Sequence, residues 1–209
     1  MTPGRWARGV AALTAAAAWA ALVLQLVLIV DQFRGDGQPV ALALWRYLGF
    51  FTILTNMLVA LVATAMAVRP ASPMAGARWR FVAAVSIALV GIAYSLLLRW
   101  VWDPQGWQAV ADHALHDVTP PLFLLAWLLF PHGAIGWNDL WRALAWPAGY
   151  FAYAMIRGAA DGWYAYHFLD ASALPAWALA INVAGLLAGV TVLASLLILL
   201  DRRMRVRTP

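Results

Sequence analysis

The stretch Tyr47–Val68 has the sequence YLGFFTILTNMLVALVATAMAV and contains no charged side chain between Arg46 and Arg69. A helix needs about 20 apolar residues to cross the hydrocarbon core of a bilayer, and this stretch is long enough. Three further charge-free runs are of the same kind: Gly9–Val30, Phe81–Leu98 and Ala171–Leu200. Apolar length alone therefore predicts four membrane helices.

Two shorter apolar runs reach spanning length only if they include ionisable residues. Val118–Phe130 becomes a full span when its helix begins near Trp107, and Ala143–Ile156 does so when it continues past Arg157. Ionisable residues inside a membrane span are costly and mark candidate functional sites. We therefore predict an all-α fold: one polytopic membrane bundle of six transmembrane helices that forms a single domain, 1–209.

The composition is typical of a protein that is surrounded by membrane lipid. The chain is 65% hydrophobic and only 11% charged, whereas soluble domains are roughly 45–50% apolar and 25% charged. All fourteen basic residues are Arg, all nine acids are Asp, and Cys is absent. Without Cys there is no disulfide, no thiolate nucleophile and no Cys metal site.

The distribution of arginine predicts the orientation. The loops after spans two and four, together with the two ends of the chain, hold ten of the fourteen: Arg5, Arg8, Arg69, Arg78, Arg80, Arg142, Arg202, Arg203, Arg205 and Arg207. The positive-inside rule then places both termini in the cytoplasm, in a cell inner membrane. The net charge of +5 is thereby explained by topology, and no nucleic-acid partner is expected.

The first apolar run is predicted to be a membrane anchor. Arg5 and Arg8 precede it, as basic residues precede a signal peptide. However, Gly9–Val30 is longer than the 7–15 residues typical of a signal-peptide core.

Polar side chains gather at one end of the predicted spans, while the opposite halves are almost purely Ala, Leu and Val. In the predicted orientation this end is the outer half of the membrane. Such one-sided polarity indicates a pocket that opens there. The residues predicted to form it are Thr52, Thr55, Asn56, Arg99, His116, Tyr153, Arg157, Tyr166 and Asn182.

The spacing within span four indicates chemistry. Asp112 and His116 are four residues apart, so they share a helix face. A carboxylate beside an imidazole holds its tautomer and favours its protonated form, as a general base requires. Thr52 is predicted at nearly the depth of His116, where its hydroxyl would be a candidate nucleophile. The alternative for Thr52 is a hydrogen bond to its own backbone or a contact between helices.

Several motifs occur in an order that resembles a known family. They are Phe51-Thr52-Ile53-Leu54-Thr55-Asn56, His116 with Pro120 and Pro121 ahead of Trp127, Trp146-Pro147 with Tyr150 and Tyr153, Arg157-Gly158, and Tyr164-Ala165-Tyr166-His167-Phe168-Leu169-Asp170. Over spans two to six the chain resembles the bacterial six-span Pr-six-Pr membrane family. That family is similar in turn to the animal androgen-induced and androgen-dependent tissue-factor-pathway-regulating proteins.

The resemblance implies an activity. The animal proteins are intramembrane threonine hydrolases that cleave fatty acid esters of hydroxy fatty acids with one Thr and one His. Carried over, the nucleophile would be Thr52 and the base His116, with Thr55 as the rival nucleophile. Thr52 is preferred because it follows Phe50 and Phe51 as the animal Thr follows its aromatic stretch. Asn56, Tyr166 or Arg99 would then donate hydrogen bonds to the oxyanion.

Two other functions remain open from the sequence. One is a metal-dependent membrane hydrolase, because Asp112, His113, His116, Asp117 and His167 offer the oxygen and nitrogen ligands that zinc takes. No H-E-x-x-H pattern is present, however. The other alternative is a non-enzymatic bundle that binds lipid. The leading hypothesis is a lipid ester hydrolase that needs no cofactor and whose partners are membrane lipids and a lipid ester substrate.

Overall fold

The computed structural model describes residues 3–205, which form helices and connecting turns without a strand. Arg207, which was counted for the orientation, lies outside these residues. The α-helices are α1 (Arg5–Gly35), α2 (Val40–Tyr47), α3 (Phe51–Val68), α4 (Ala77–Ala93), α5 (Gly106–His113), α6 (Thr119–Leu129), α7 (Leu140–Asp161) and α8 (Ala176–Arg203). The all-α prediction is confirmed.

Four helices are long and apolar enough to cross a membrane. An 18-residue stretch of each has a mean hydropathy of 2.3 in Arg5–Gly35, 2.0 in Phe51–Val68, 2.4 in Ala77–Leu98 and 2.6 in Ala176–Arg203. They coincide with the four charge-free runs of the sequence. Four of the six predicted spans therefore form helices with the length and composition that a membrane requires.

The two weaker runs also lie in helices. A π-helical turn at Ala114–Val118 joins α5 and α6 into one continuous helix, Gly106–Leu129, which includes Asp112 and His116. The second run lies within α7, which continues past Arg157 to Asp161 as the sequence predicted. Within residues 3–205, neither helix matches the apolar length of the other four.

The second apolar run is interrupted, which corrects the predicted start of its helix. α2 ends at Tyr47 and α3 begins at Phe51, so Thr52 lies in the first turn of α3. Gly49 occupies the break because a Cβ there would collide with the ring of Trp163. The Gly49 carbonyl accepts a hydrogen bond from the Tyr150 hydroxyl at 3.0 Å, which replaces a helical partner.

α3 and α4 form the centre of the bundle. More than half of each apolar stretch is buried, against 17% for α8. α1 packs along α3 through small residues spaced three or four apart, which let the two backbones approach closely: Ala7, Ala11, Ala15 and Ala18. The first turn of α3 therefore lies where α1, α4 and the helix Gly106–Leu129 surround it.

Candidate active site

The Thr52 hydroxyl meets the imidazole of His116. Thr52 Oγ1 lies 3.2 Å from His116 Nε2, within reach for transfer of a proton. Thr52 is 8% exposed and the His116 side chain 10%, so little water competes for this contact. The helix start at Phe51 and the helix Gly106–Leu129 bring these two residues together.

Asp112 contacts the other nitrogen of the imidazole. His116 Nδ1 lies 2.9 Å from the Asp112 carbonyl oxygen and 3.3 Å from Asp112 Oδ1. The carbonyl can only accept, so in the neutral ring Nδ1 carries the hydrogen and Nε2 accepts from Thr52. Thr52, His116 and Asp112 thus have the order of a nucleophile, a base and an orienting carboxylate.

A π-helical turn presents His116 to Thr52. Pro120 and Pro121 have no backbone N–H, and a proline ring also displaces the carbonyl four residues before it. The helix instead widens at Ala114–Val118, where the Ala114 carbonyl accepts from the backbone N–H of Thr119 and, at 2.8 Å, from its hydroxyl. Turns of this type are frequent at functional sites.

A second π-helical turn lies opposite the first. It extends α4 through Tyr94–Leu98 and begins with Tyr94, whose hydroxyl donates a hydrogen bond to Asp112 Oδ2. The two widened turns therefore contact each other through the residues that surround the imidazole. Tyr94 is not among the residues that the sequence predicted for the site, although a hydroxyl inside an apolar run was an available signal.

Tyr166 reaches Thr52 from the connection between α7 and α8. Its hydroxyl oxygen lies 3.3 Å from Thr52 Oγ1 and accepts the Thr52 backbone N–H at 3.3 Å. Burial raises the pKa of the Tyr166 phenol, so the group keeps its hydrogen and remains a donor. Because Thr52 donates to His116, the Tyr166 hydroxyl is oriented to donate to Thr52 Oγ1.

Two cavities meet at this cluster. The wider one has a volume of about 420 Å³, and its polar side chains include Gln25, Gln32 and Gln108. The narrower one is about 40 Å³ and is lined mainly by apolar side chains. The residues shared by both cavities are Thr52, Tyr94, Leu98, His116 and Tyr166.

A third, more open groove borders His116 on the side of α4 and α6. It has a volume of about 430 Å³ and is lined by Gly91, Ile92 and Pro120 among other residues. A Cβ on Gly91 would lie 3.4 Å from the His116 carbonyl oxygen, which shows how closely the two helices approach. This groove borders His116 at the outer surface of the bundle.

Thr55 and Asn56 lie below the cluster and make structural contacts. Thr55 is fully buried, and its hydroxyl accepts from Trp146 Nε1 at 3.1 Å. The Asn56 amide donates to the Thr52 carbonyl at 2.9 Å and to the Leu115 carbonyl at 3.4 Å. Neither lines the two cavities. These contacts support α3 beneath Thr52, and the contact of the two residues with substrate stays a prediction.

Three basic or amide side chains also lie outside both cavities. Arg99 pairs with Asp117 of the helix Gly106–Leu129. Arg157 donates to the Tyr153 hydroxyl at 2.8 Å and to the Trp45 carbonyl at 2.5 Å. Asn182 donates to the Phe168 carbonyl at 2.8 Å. The sequence predicted substrate contacts for Arg99, Tyr153, Arg157 and Asn182. Each has a hydrogen-bond partner within the chain, and contact with substrate stays a prediction for all four.

The candidate metal ligands separate into two pairs and one isolated histidine. His113 Nδ1 lies 2.7 Å from Asp117 Oδ2, beside Arg99, while Asp112 and His116 face Thr52. His167 packs edge-on against Phe168. Over residues 3–205, no three such side chains are grouped so as to hold a metal ion.

No family model, curated protein or solved structure matches this chain. The functional assignment therefore depends on the geometry of the cluster. That geometry combines a buried hydroxyl, an oriented imidazole and a protonated phenol at the junction of two cavities.

Proposed function

We propose that this chain is a six-span membrane protein that hydrolyses carboxylic esters of lipids, with Thr52 as the nucleophile and His116 as the general base. The observation that carries the proposal is the 3.2 Å contact between Thr52 Oγ1 and His116 Nε2 at the junction of the two cavities. A buried threonine that only stabilises a helix needs no imidazole, because its hydroxyl bonds to its own backbone.

The membrane placement has six spans and cytoplasmic ends. It is supported by the continuity of Gly106–Leu129 and by the 22 residues of α7, both near the length that a span requires. It is also supported by the excess of arginine at the chain ends and in the loops after spans two and four. Thr52 and His116 then lie in the outer half of a bacterial inner membrane.

In the first step, the Thr52 hydroxyl attacks the carbonyl carbon of the ester. His116 Nε2 takes the hydroxyl proton as the Oγ1–C bond forms, and Asp112 stabilises the imidazolium through Nδ1. The tetrahedral intermediate then collapses and the bond to the leaving alcohol breaks. His116 returns the proton to the alcohol oxygen, and an acyl-threonine remains.

The oxyanion of the intermediate needs hydrogen-bond donors. Tyr166 is the polar donor placed for this role, because its hydroxyl lies 3.3 Å from the attacking oxygen. Asn56 and Arg99, the other donors considered, are bound elsewhere. A preorganised donor in a site with little water stabilises the developing charge strongly.

In the second step, water completes hydrolysis. His116 removes a proton from water, and the water oxygen attacks the acyl carbon. The bond to Thr52 Oγ1 then breaks, and His116 returns the proton to Oγ1. The products are a free carboxylic acid and the original Thr52 hydroxyl. Water reaches the site through the wider cavity, where Gln25, Gln32 and Gln108 provide polar side chains.

The shape of the chamber supports a lipid substrate. Two cavities with mainly apolar walls meet at Thr52, and an ester linkage between two apolar chains would have its carbonyl at the junction. The resemblance to intramembrane threonine hydrolases implies fatty acid esters of hydroxy fatty acids as the substrate class. We place the lateral entry of the substrate from the bilayer at the outer groove that borders His116.

A fluorophosphonate probe tests the proposal on the purified full chain in neutral detergent. We expect the probe to label wild type and Thr55→Ala, because Thr55 lies outside the cavities, and to leave Thr52→Ala unlabelled. Thr52→Ser should retain labelling. Labelling that persists in Thr52→Ala would overturn the role of Thr52. A co-purified lipid ester that is never cleaved would favour a lipid-binding bundle.

A further inference from the structure

An open cleft of about 730 Å³ lies at the end of the bundle away from Thr52. The connection between α6 and α7, the start of α4 and the end of α8 form its walls. Thr52 begins α3, and α3 ends at Val68, about 24 Å further along the helix at 1.5 Å per residue. The cleft is therefore separate from the candidate active site.

The cleft carries an excess of positive charge. Arg78, Arg142 and Arg202 line it, whereas Asp139 is the one carboxylate among its described lining residues. Asp139 is already bound, because its carboxylate accepts from Arg78, from Arg142 and from the Gly136 backbone N–H. Within the described chain Arg202 has no carboxylate at ion-pair distance. An anionic group would complete this arrangement.

The wall of the cleft is fixed by a buried carboxylate. Asp201 accepts from the Gly133 and Ile135 backbone N–H groups at 2.8 and 3.0 Å and lies 3.0 Å from His132 Nδ1. Gly133 has a φ of +93°, which favours glycine, and a Cβ there would collide with the stem of Arg205. The loop is thus held in one shape before any ligand arrives.

Tryptophans indicate the depth of the cleft in the membrane. Trp137 and Trp141 line it and are 47% and 61% exposed, and Arg142 lies over the Trp141 ring. Exposed tryptophans of membrane proteins concentrate at the level of the lipid headgroups. A basic cleft between helices at that level, on the cytoplasmic side, matches known sites for anionic headgroups.

We propose that this cleft binds the headgroup of an anionic phospholipid, with the phosphate among Arg78, Arg142 and Arg202. The proposal rests on the proposed membrane orientation and is independent of the hydrolase reaction. A soluble phosphate would use the same arginines, but it would gain nothing from tryptophans at headgroup depth. The occupant is therefore a lipid of the surrounding leaflet.

Binding of defined lipids to the purified full chain in neutral detergent tests this proposal. Native mass spectrometry should show retained phosphatidylglycerol and no retained phosphatidylcholine of the same chain length. Each arginine contributes about 1 kcal/mol near an anionic surface, or about fivefold in affinity. We expect Arg202→Gln to weaken binding about fivefold and the triple variant R78Q/R142Q/R202Q on the order of a hundredfold.

Arg34→Gln is the matched control, because it removes one arginine at the end of α1 that lies away from this cleft. Its affinity for phosphatidylglycerol should equal that of wild type. Arg202→Gln breaks no ion pair of the described chain, so it tests the site even if the triple variant fails to fold. Equal retention of both lipids, unchanged affinity in Arg202→Gln, or full competition by millimolar inorganic phosphate would each overturn the proposal.

Discussion

The ring of Tyr94 lies face to face on the imidazole of His116, with ring centroids 4.0 Å apart and planes inclined by 14°. The hydroxyl of the same tyrosine donates to Asp112 Oδ2. One residue of α4 therefore positions both the proposed base and its carboxylate. This double contact keeps Nδ1 directed at Asp112 and Nε2 directed at Thr52.

Asp112→Asn should reduce kcat for a lipid ester by about 10²–10⁴-fold, the range that general-base catalysis contributes. The substitution keeps the volume of the side chain but removes the charge that stabilises the imidazolium. Esterase assays in detergent would measure the loss. Asp117→Asn is the control, because Asp117 pairs with Arg99 and His113 rather than with His116. Equal losses in both variants would refute a special role for Asp112.

Tyr166→Phe should reduce kcat by about 10²–10³-fold with little change in KM, because a donor to the oxyanion acts only in the transition state. Tyr164→Phe removes a hydroxyl from the same connection, and no hydrogen bond is found for that hydroxyl in the described chain. It should keep nearly full activity. A rise in KM with unchanged kcat in Tyr166→Phe would mean that the phenol binds substrate instead.

Pro120→Ala should lower activity without lowering stability. Alanine restores a backbone N–H and lets the widened turn Ala114–Val118 tighten toward an α-helix. His116 would then rotate away from Thr52. We expect the labelling rate to fall while the melting temperature in detergent stays equal or rises. Pro131→Ala, beyond the far end of α6, is the control, and undiminished labelling of Pro120→Ala would argue against the turn as a positioning device.

Asp201→Asn should destabilise the chain by about 1–3 kcal/mol, because a buried acceptor loses part of its hydrogen bonding to the Gly133 and Ile135 backbone. Thermal unfolding in detergent measures the change. Asp31→Asn, at an exposed position on α1, should have almost no effect. If the two variants unfold at the same temperature, the loop at the basic cleft is held by other contacts.

The helices of this chain could be predicted from the sequence because lipid imposes a simple requirement. Each membrane-spanning helix must be apolar over a fixed length, and each of the four charge-free runs lies in a helix that meets this condition. The break at Leu48–Phe50 could not be predicted, since it depends on the contact of Gly49 with Trp163, far along the chain. Long-range contacts of this kind leave no local periodicity.

The candidate site was predictable only in part. The spacing of Asp112 and His116 indicated an oriented imidazole, and the structure places Thr52 against it. The sequence did not distinguish polar residues that line a cavity from those that support it. Arg157 and Asn182 are examples, because their partners are backbone carbonyls of Trp45 and Phe168. The pattern of side chains in a sequence does not show which backbone carbonyls will accept hydrogen bonds from them.

The widened turns at Tyr94–Leu98 and Ala114–Val118 have a consequence for how such a protein changes over generations. A π turn holds one more residue than an α turn, so deletion of a single codon would convert it into ordinary helix. The flanking helical turns would keep their orientation, because the widened turn is what absorbs the extra residue, and only the side chains within it, His116 among them, would be redirected. The bundle would persist while the hydroxyl and the imidazole parted, and reactivity could be lost or regained with the scaffold intact.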